Sequence, residues 1–403
     1  MRNLKNQLRR TEFMVQESPE KLRLYRHVVK PIFVSWLPFA IAFLVTYPIR
    51  LGIRIQNCVR KIRHPGRTQA SLLCLEAGVQ GWEIIEYKEL YQSALEYVGA
   101  DRLVKFVVTD EAPYLQQLKT FLDQHPVTHY GWSPRTGDQH RFKGLVEALQ
   151  VSIILSRRGI VPIALLTDML VRTWRATSSM VTANSGVVVT LMSPVDVFLI
   201  CPHRRFVGPY IMAFSEATLE KLEAARSVIN ETQSAKDAIT LGALYEPRKT
   251  IVEGIQKHLR EDGYELVING RSLEGTRSSD EEYWSKMVNA KIVVTTSNVL
   301  ANAEDYDWNW KQHFVYRYLE VMACGSMLVA PDLPGIERYF QPGVHFVSFS
   351  SEKDAATKVK YYLDNDEERE KISLQGFNRA KSLVVSQSFW SGLDICLSRE
   401  GIL

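Results

Sequence analysis

Several polar residues stand where an open α/β architecture could use them. Asp110 and Asp168 lie just past short apolar runs that read as buried strands, Leu103–Thr109 and Val161–Thr167. Ligands approach open α/β sheets at the carboxyl ends of their strands, so Asp168 could act as a base or bind an acceptor hydroxyl. His203, in Pro202-His203-Arg204-Arg205, follows another apolar run and is a second candidate base; a lone histidine is also an ordinary structural residue. The first body strand runs into Leu75-Glu76-Ala77-Gly78-Val79-Gln80-Gly81-Trp82. Gly78 and Gly81 let backbone approach a ligand closely at the next helix N-terminus, and the same glycines suit a plain strand-to-helix turn. Asp305-Tyr306-Asp307 places two carboxylates two residues apart, which can hold a divalent cation and a diphosphate.

Other chemistries lack support. There is no GxxxxGK[ST] phosphate loop, no HExxH and no GxSxG elbow, and neither half opens with GxGxxG. The five cysteines are widely spaced and form no CxxC pair, which argues against a structural zinc site and a disulfide framework and favours a reducing compartment. The net charge of +4 hides an asymmetry: residues 1–70 carry 14 Lys and Arg against 3 Asp and Glu, and the other 333 carry 35 against 42. A slightly acidic body does not suit a nucleic-acid binder.

The elements that must position these residues alternate. In the first half, apolar runs Ser71–Glu76, Leu103–Thr109, Val161–Thr167 and Gly186–Met192 read as strands. Amphipathic stretches Trp82–Val98, Pro113–His125, Gln139–Arg158 and Met169–Met180 read as helices between them. After helix Glu216–Thr232 and a polar break, the alternation restarts with strands at Ala238–Leu244, Tyr264–Asn269, Lys291–Thr296, Met327–Ala330 and Val344–Phe349. The helices there are expected at Lys249–Asp262, Asp280–Asn289, His313–Cys324, Pro334–Phe340, Ala355–Leu363 and Glu367 to about Leu397. The fold class is therefore α/β, with two consecutive doubly wound, Rossmann-like domains. The expected boundaries are an arm at 1–67, domains at 68–235 and 236–390, and a tail at 391–403.

The arm holds an uncharged run from Pro31 to Ile49, bounded by Lys30 and Arg50. Nineteen helical residues rise about 28 Å, near the hydrocarbon thickness of a bilayer. Both flanks are basic, so a simple span conflicts with the positive-inside rule, and Pro31, Pro38 and Pro48 are expected to break or kink a straight helix. A re-entrant or in-plane element on the cytoplasmic side of a membrane fits better, with a buried core helix as the alternative.

The stretch Tyr316–Phe349 resembles the donor-binding region of GT-B glycosyltransferases, in particular the group-1 type and the spore-coat CgeB-like branch. It carries Leu319-Glu320-Val321-Met322-Ala323-Cys324-Gly325, then Leu328-Val329-Ala330 and Pro334-Gly335. The likeness is specific over about 238–390. It implies that Glu320 binds the nucleotide ribose, that Gly325, Pro334 and Gly335 shape the pocket floor, and that Arg317 meets phosphate. Arg248 and Lys249 match the basic residues that follow the first strand and would donate to the diphosphate. Retaining group-1 enzymes often carry a second Glu eight positions before the ribose Glu; Gln312 stands there, which leaves the stereochemical outcome open.

The expectation is a membrane-associated transferase moving a sugar from a nucleotide-sugar to a lipid-linked or envelope glycan acceptor. That acceptor would be held near Glu76, Gly78, Gln80 and Gly81, with Asp168 or His203 as the base. No cofactor and no divalent metal is expected, since a doubled α/β chain fits GT-B and makes the paired aspartates a chance match. A sugar-nucleotide epimerase or a non-catalytic protein on the same fold are the alternatives.

Overall fold

The computed structural model describes residues 36–63, 71–78, 85–132, 145–166, 183, 186–190, 206–207, 213–232, 236–244, 246–271, 278–297, 314–333 and 335–399. It begins with helix α1 (Leu37–Arg63), then β1 (Leu73–Gly78), α2 (Ile85–Val98), β2 (Leu103–Val108), α3 (Tyr114–Gln124), β3 (His129–Trp132), α4 (Leu145–Arg157), β4 (Val161–Leu166), β5 (Val187–Thr190), β6 (Phe206–Val207) and α5 (Glu216–Thr232). The alternation then restarts with β7 (Lys236–Ala243), α6 (Arg248–Glu261), β8 (Leu266–Arg271), α7 (Asp280–Val288), β9 (Ala290–Val294), α8 (Arg317–Ala323), β10 (Met327–Pro331) and β11 (Val347–Phe349). Helices α9 (Glu352–Asp364), α10 (Asp366–Val385) and α11 (Ser388–Arg399) complete it.

The strands form two sheets, in the orders β2-β1-β3-β4-β5-β6 and β11-β10-β9-β7-β8. In the first, β1–β3 and β3–β4 pair in parallel; in the second, β7–β8, β7–β9, β9–β10 and β10–β11 do. Both orders begin from a central strand, step outward and then return to its other side. Each sheet therefore has a topological switch point, between β1 and β3 and between β7 and β9, where a crevice opens beyond the carboxyl ends.

The second sheet shows why its strands read as unbroken apolar runs. Ile239, Leu241, Val293, Leu328 and Ala330 join one core cluster, with residues of α5, α7, α8 and α10. Their neighbours Ala238, Ile292, Val294, Met327 and Val329 join a second cluster, with Val252, Ile255 and Leu259 of α6 and Ala355, Ala356 and Val359 of α9. Successive side chains point to opposite faces, and both faces are covered, so these strands are mostly apolar, with Thr240 a buried exception in β7. Each buried Val, Leu, Ile or Met side chain among them contributes roughly 1.5–3 kcal/mol relative to exposure. Ser279 and Ser351 cap α7 and α9 by accepting from the amides of Glu282 and Asp354.

By contacts the chain separates into two compact units. One comprises 1–76, 106–188 and 194–206, and the other 77–105, 189–193 and 207–403. Helix α2, which follows the first strand, joins the second unit because α11 holds it. Trp390 Nε1 donates to Ser93 Oγ at 3.0 Å, and Tyr97 OH donates to Asp394 at 2.7 Å.

The structure corrects several expected elements. Strand β3 lies where none was expected. The long C-terminal helix is two helices, broken at Ser386 and Gln387, the latter with φ of 48°. The stretch 334–340 is a single 3-10 turn, Ile336–Arg338, rather than a helix. The prolines do not end the arm helix: Pro38 falls in the first turn of α1, and Pro48 lies inside it. A first-turn proline loses no intrahelical bond, and Pro48 is exposed. The expected helix Met169–Met180 lies outside the described residues.

Candidate functional site

Four segments meet beyond the carboxyl ends of β7 and β9: the end of β7, the first residue of α6, the residues after β9, and the first turn of α8, joined by Tyr283 from α7. Chain direction alone brings them together, because each helix that follows a parallel strand starts at the sheet's carboxyl edge.

Arg248 opens α6 and is 6% exposed. Its Nε donates to Thr296 Oγ1 at 3.0 Å and its Nη1 to the carbonyl of Ala243 at 3.1 Å, which ties the α6 start to the ends of both switch-point strands. Arg317 opens α8. Its Nη1 donates to Thr295 Oγ1 at 3.4 Å and its Nε to the hydroxyl of Tyr283 at 3.4 Å. The guanidinium lies against Gly242, whose φ is +101°; a Cβ built there would stand 2.5 Å from Arg317 Nη2. Only glycine both adopts that backbone and leaves the guanidinium its seat.

Glu320 stands one turn beyond Arg317 on α8 and is 4% exposed. Its Oε2 accepts from Tyr283 OH at 2.9 Å. Burial, and then the Glu320 charge, push the Tyr283 phenol well above its usual range, with Arg317 opposing. Tyr283 therefore stays protonated and acts as donor to the carboxylate. Tyr316 anchors the start of α8, its hydroxyl donating to the carbonyl of Ala213 at 3.0 Å. The site thus holds two guanidiniums, two threonine hydroxyls and a buried carboxylate. Such a set can receive a dianionic diphosphate and a vicinal diol together.

The other expected residues are placed differently. Lys249 follows Arg248 but is exposed, with Nζ 3.9 Å from Glu253. Gly335 has φ of 87° and caps the 3-10 turn beyond β10, at the carboxyl edge. Gly325 is not brought to the site. It ends α8 with φ of +75°, its amide donating to Met322 at 2.9 Å, and sits beside the Arg226 side chain, at the opposite edge of the sheet. Pro334, Asp168, His203, Gln80 and Gly81 lie outside the described residues, as do Asp305 and Asp307. Gly78 ends β1. Glu76 is buried: its Oε2 accepts from Tyr114 OH at 2.9 Å and from Tyr130 OH, next to the first sheet's switch point. Burial, then the Glu76 charge, raise the Tyr130 phenol well above its usual range. Asp110 is exposed just beyond β2.

Tyr283 and Thr295 with Thr296 were not legible as site residues. The threonines end an expected strand, a signal that was present; Tyr283 sits in a charged amphipathic stretch whose spacing gives no hint of its role.

Residues 248–387 match a family model described as glycosyl transferase-like. Among solved structures, HepE from Anabaena in complex with UDP is 13% identical, with a TM-score of 0.52 over 82% of this chain and 100% of that one. The same protein in complex with UDP and glucose gives 11% identity and a TM-score of 0.52, over 81% and 100%. Sucrose-phosphate synthase from Thermosynechococcus elongatus is 12% identical, with a TM-score of 0.54 over 80% and 98%. At such identities the likeness establishes the fold, and it is the two-domain GT-B fold expected from the sequence. No curated protein matches the chain in sequence.

Proposed function

We propose that this chain, a glycosyltransferase of the GT-B fold, holds the diphosphate of a nucleotide-sugar between Arg248 and Arg317 at the β7/β9 switch point, with Glu320 on the ribose diol. The observation that carries this reading is the convergence of both guanidiniums with Glu320 at one strand-end crevice. The amino end of α6 adds favourable partial charge, Lys249 adds positive potential nearby, and Gly335 lies at the same carboxyl edge. HepE, a structural neighbour, is seen with UDP and with UDP and glucose, which makes UDP the first nucleotide to test.

In the reaction, an acceptor hydroxyl oxygen forms a bond to the anomeric carbon while the bond from that carbon to the diphosphate oxygen breaks. The hydroxyl proton goes to Asp168 or His203. The leaving nucleoside diphosphate gains charge as it departs, and the fixed guanidiniums stabilise it without reorganising. Position supplies much of the remaining rate. We assign the acceptor to the carboxyl edge of the first sheet, near Gly78, Gln80 and Gly81, where the Glu76–Tyr114–Tyr130 network stiffens the strand ends. We assign no divalent metal to the step. The acceptor is a lipid-linked or envelope glycan and the enzyme works at a membrane. The support is the segment Leu37–Val59 of α1, long and apolar enough to cross one.

Calorimetric titration with UDP, then with other nucleoside diphosphates, tests the donor site. Glu320→Gln keeps an oxygen for the Tyr283 hydroxyl while removing the charge. A charge-assisted hydrogen bond contributes about 1.5–3 kcal/mol, so affinity should fall at least about tenfold with the thermal midpoint little changed. Unchanged affinity removes the ribose assignment. Nucleoside diphosphate released only when acceptor is present identifies transfer; isomerised donor without release, or binding without turnover, refutes it.

A further inference from the structure

Helix α1 packs against α4 through a narrow stripe. Pro38, Ala42 and Thr46 are buried, and Ile49, Arg50 and Ile53 are half-buried, a spacing of three to four residues that makes one face. Thr46 turns its hydroxyl back to the carbonyl of Ala42 at 2.6 Å, so that hydroxyl is satisfied within the helix. Gly159, just past α4, leaves the room that Ile53 occupies: a Cβ there would meet Ile53 Cγ2 at 3.2 Å.

The face opposite the stripe is uncovered and apolar. At positions opposite the stripe stand Leu37, Leu44, Leu51 and Ile55, with Leu44 71% and Ile55 57% exposed. Phe43 and Tyr47 stack on the flank at 5.1 Å, and the Arg50 guanidinium lies 5.6 Å from the Phe43 centroid. Arg54 is exposed beside them. A continuous apolar arc of this length on a folded surface marks an interaction site. The surrounding charge selects the partner, since residues 1–70 hold 14 basic and only 3 acidic residues. An anionic lipid surface offers both an acyl boundary for the arc and counter-charge for the arginines.

We infer that α1 is an in-plane docking helix for an anionic lipid surface, which stays seated on α4 and lays Leu37, Leu44, Leu51 and Ile55 into the boundary between head groups and acyl chains. A spanning helix would have to leave α4, uncovering the stripe of Ala42 and Thr46. The inference rests on the membrane placement proposed above and specifies its mode and lipid.

The test is co-sedimentation of the full chain with phosphatidylcholine vesicles, with and without 30% phosphatidylglycerol, a probe composition of about one anionic lipid in three. Binding should be at least about tenfold stronger on the anionic vesicles and weaken in 0.5 M salt, roughly where the Debye length shrinks below 5 Å. Leu44→Asp and, separately, Ile55→Asn should each lower binding at least about tenfold. Both positions are exposed, so an unchanged thermal midpoint confirms that folding is intact. Membrane-bound chain should be released by alkaline carbonate. Resistance to carbonate extraction overturns the in-plane mode while leaving the membrane placement standing. Binding that ignores lipid charge and both substitutions overturns the assigned face. A chain that binds no vesicle, with Leu44→Asp instead dissociating a dimer, gives the face to a second copy and overturns both readings of the membrane.

Discussion

Replacing Gly242 by alanine probes the site through a residue with no side chain of its own. The new Cβ would lie 2.5 Å from Arg317 Nη2, 3.1 Å from its Cζ and 3.3 Å from Nη1. It comes closest to Nη2, so the guanidinium must shift. The contacts at 3.4 Å to Thr295 and Tyr283 go with it. The backbone adds its own term: a φ of +101° costs a residue with a Cβ about 1–2 kcal/mol. For a unit of some 150–250 residues that lowers the thermal midpoint by roughly 2–8 °C. If Arg317 donates to the diphosphate, losing that charge-assisted bond costs about 1.5–3 kcal/mol, or roughly 10- to 150-fold in nucleoside diphosphate affinity. The assay is calorimetric titration of the wild type, Gly242→Ala, Arg317→Ala and the double variant. Because Gly242 acts only by seating Arg317, the double variant should bind as Arg317→Ala alone does, to within about 0.5 kcal/mol. A lowered midpoint with unchanged nucleotide affinity would show that Arg317 is structural. Additive losses would show that Gly242 touches the ligand directly.

Tyr283→Phe removes the hydroxyl that donates to Glu320 and accepts from Arg317. The donor KM should rise about three- to tenfold with kcat nearly unchanged, the expected mark of lost positioning. Trp390→Ala empties a 4% exposed site and removes the bond to Ser93, so the midpoint should fall by the equivalent of about 3–5 kcal/mol, measured by denaturant unfolding. Asp366 is held below the usual carboxylate range by the hydrogen bond and charge of Arg369 and then by Lys291. A depressed folded-state pKa gives stability that is present above the unfolded value of 3.8 and lost as pH falls below it. Asp366→Asn should therefore flatten the fall in thermal midpoint below about pH 4.

The second half was the more legible because its sheet is covered on both faces. Strands β9 and β10 are buried at almost every position, so their sequences are apolar runs that declare themselves. Strand β3 hides for the opposite reason. His129-Tyr130-Gly131-Trp132 has no branched aliphatic residue and a glycine in its middle, yet all four are buried. Its place is set by neighbours: His129 and Tyr130 pair with Leu73 and Cys74 on one side and with Val161 and Pro162 on the other. Local propensity holds no record of such pairing. The arm misled in another way. Counting prolines predicts a break, but Pro38 falls in the first turn, where its amide has no intrahelical partner, and the helix continues through Pro48 while its stripe packs on α4.

At the site, Arg248, Arg317 and Glu320 could be read from a motif, whereas the reason they meet could not. Some 69 residues separate Arg248 from Arg317 along the chain. What joins them is the reversal of strand order at β7 and β9, which turns the starts of α6 and α8 toward one crevice. The same topology recruits Tyr283, because α7 leads into β9 and its first turn lies at the same carboxyl edge. It also removes Gly325, which belongs to the same sequence motif as Glu320 but lies at the far end of α8. A motif records which residues travel together in sequence. The rise from Glu320 to Gly325 is about 7.5 Å at 1.5 Å per residue, enough to place one end at the strand-end crevice and the other away from it.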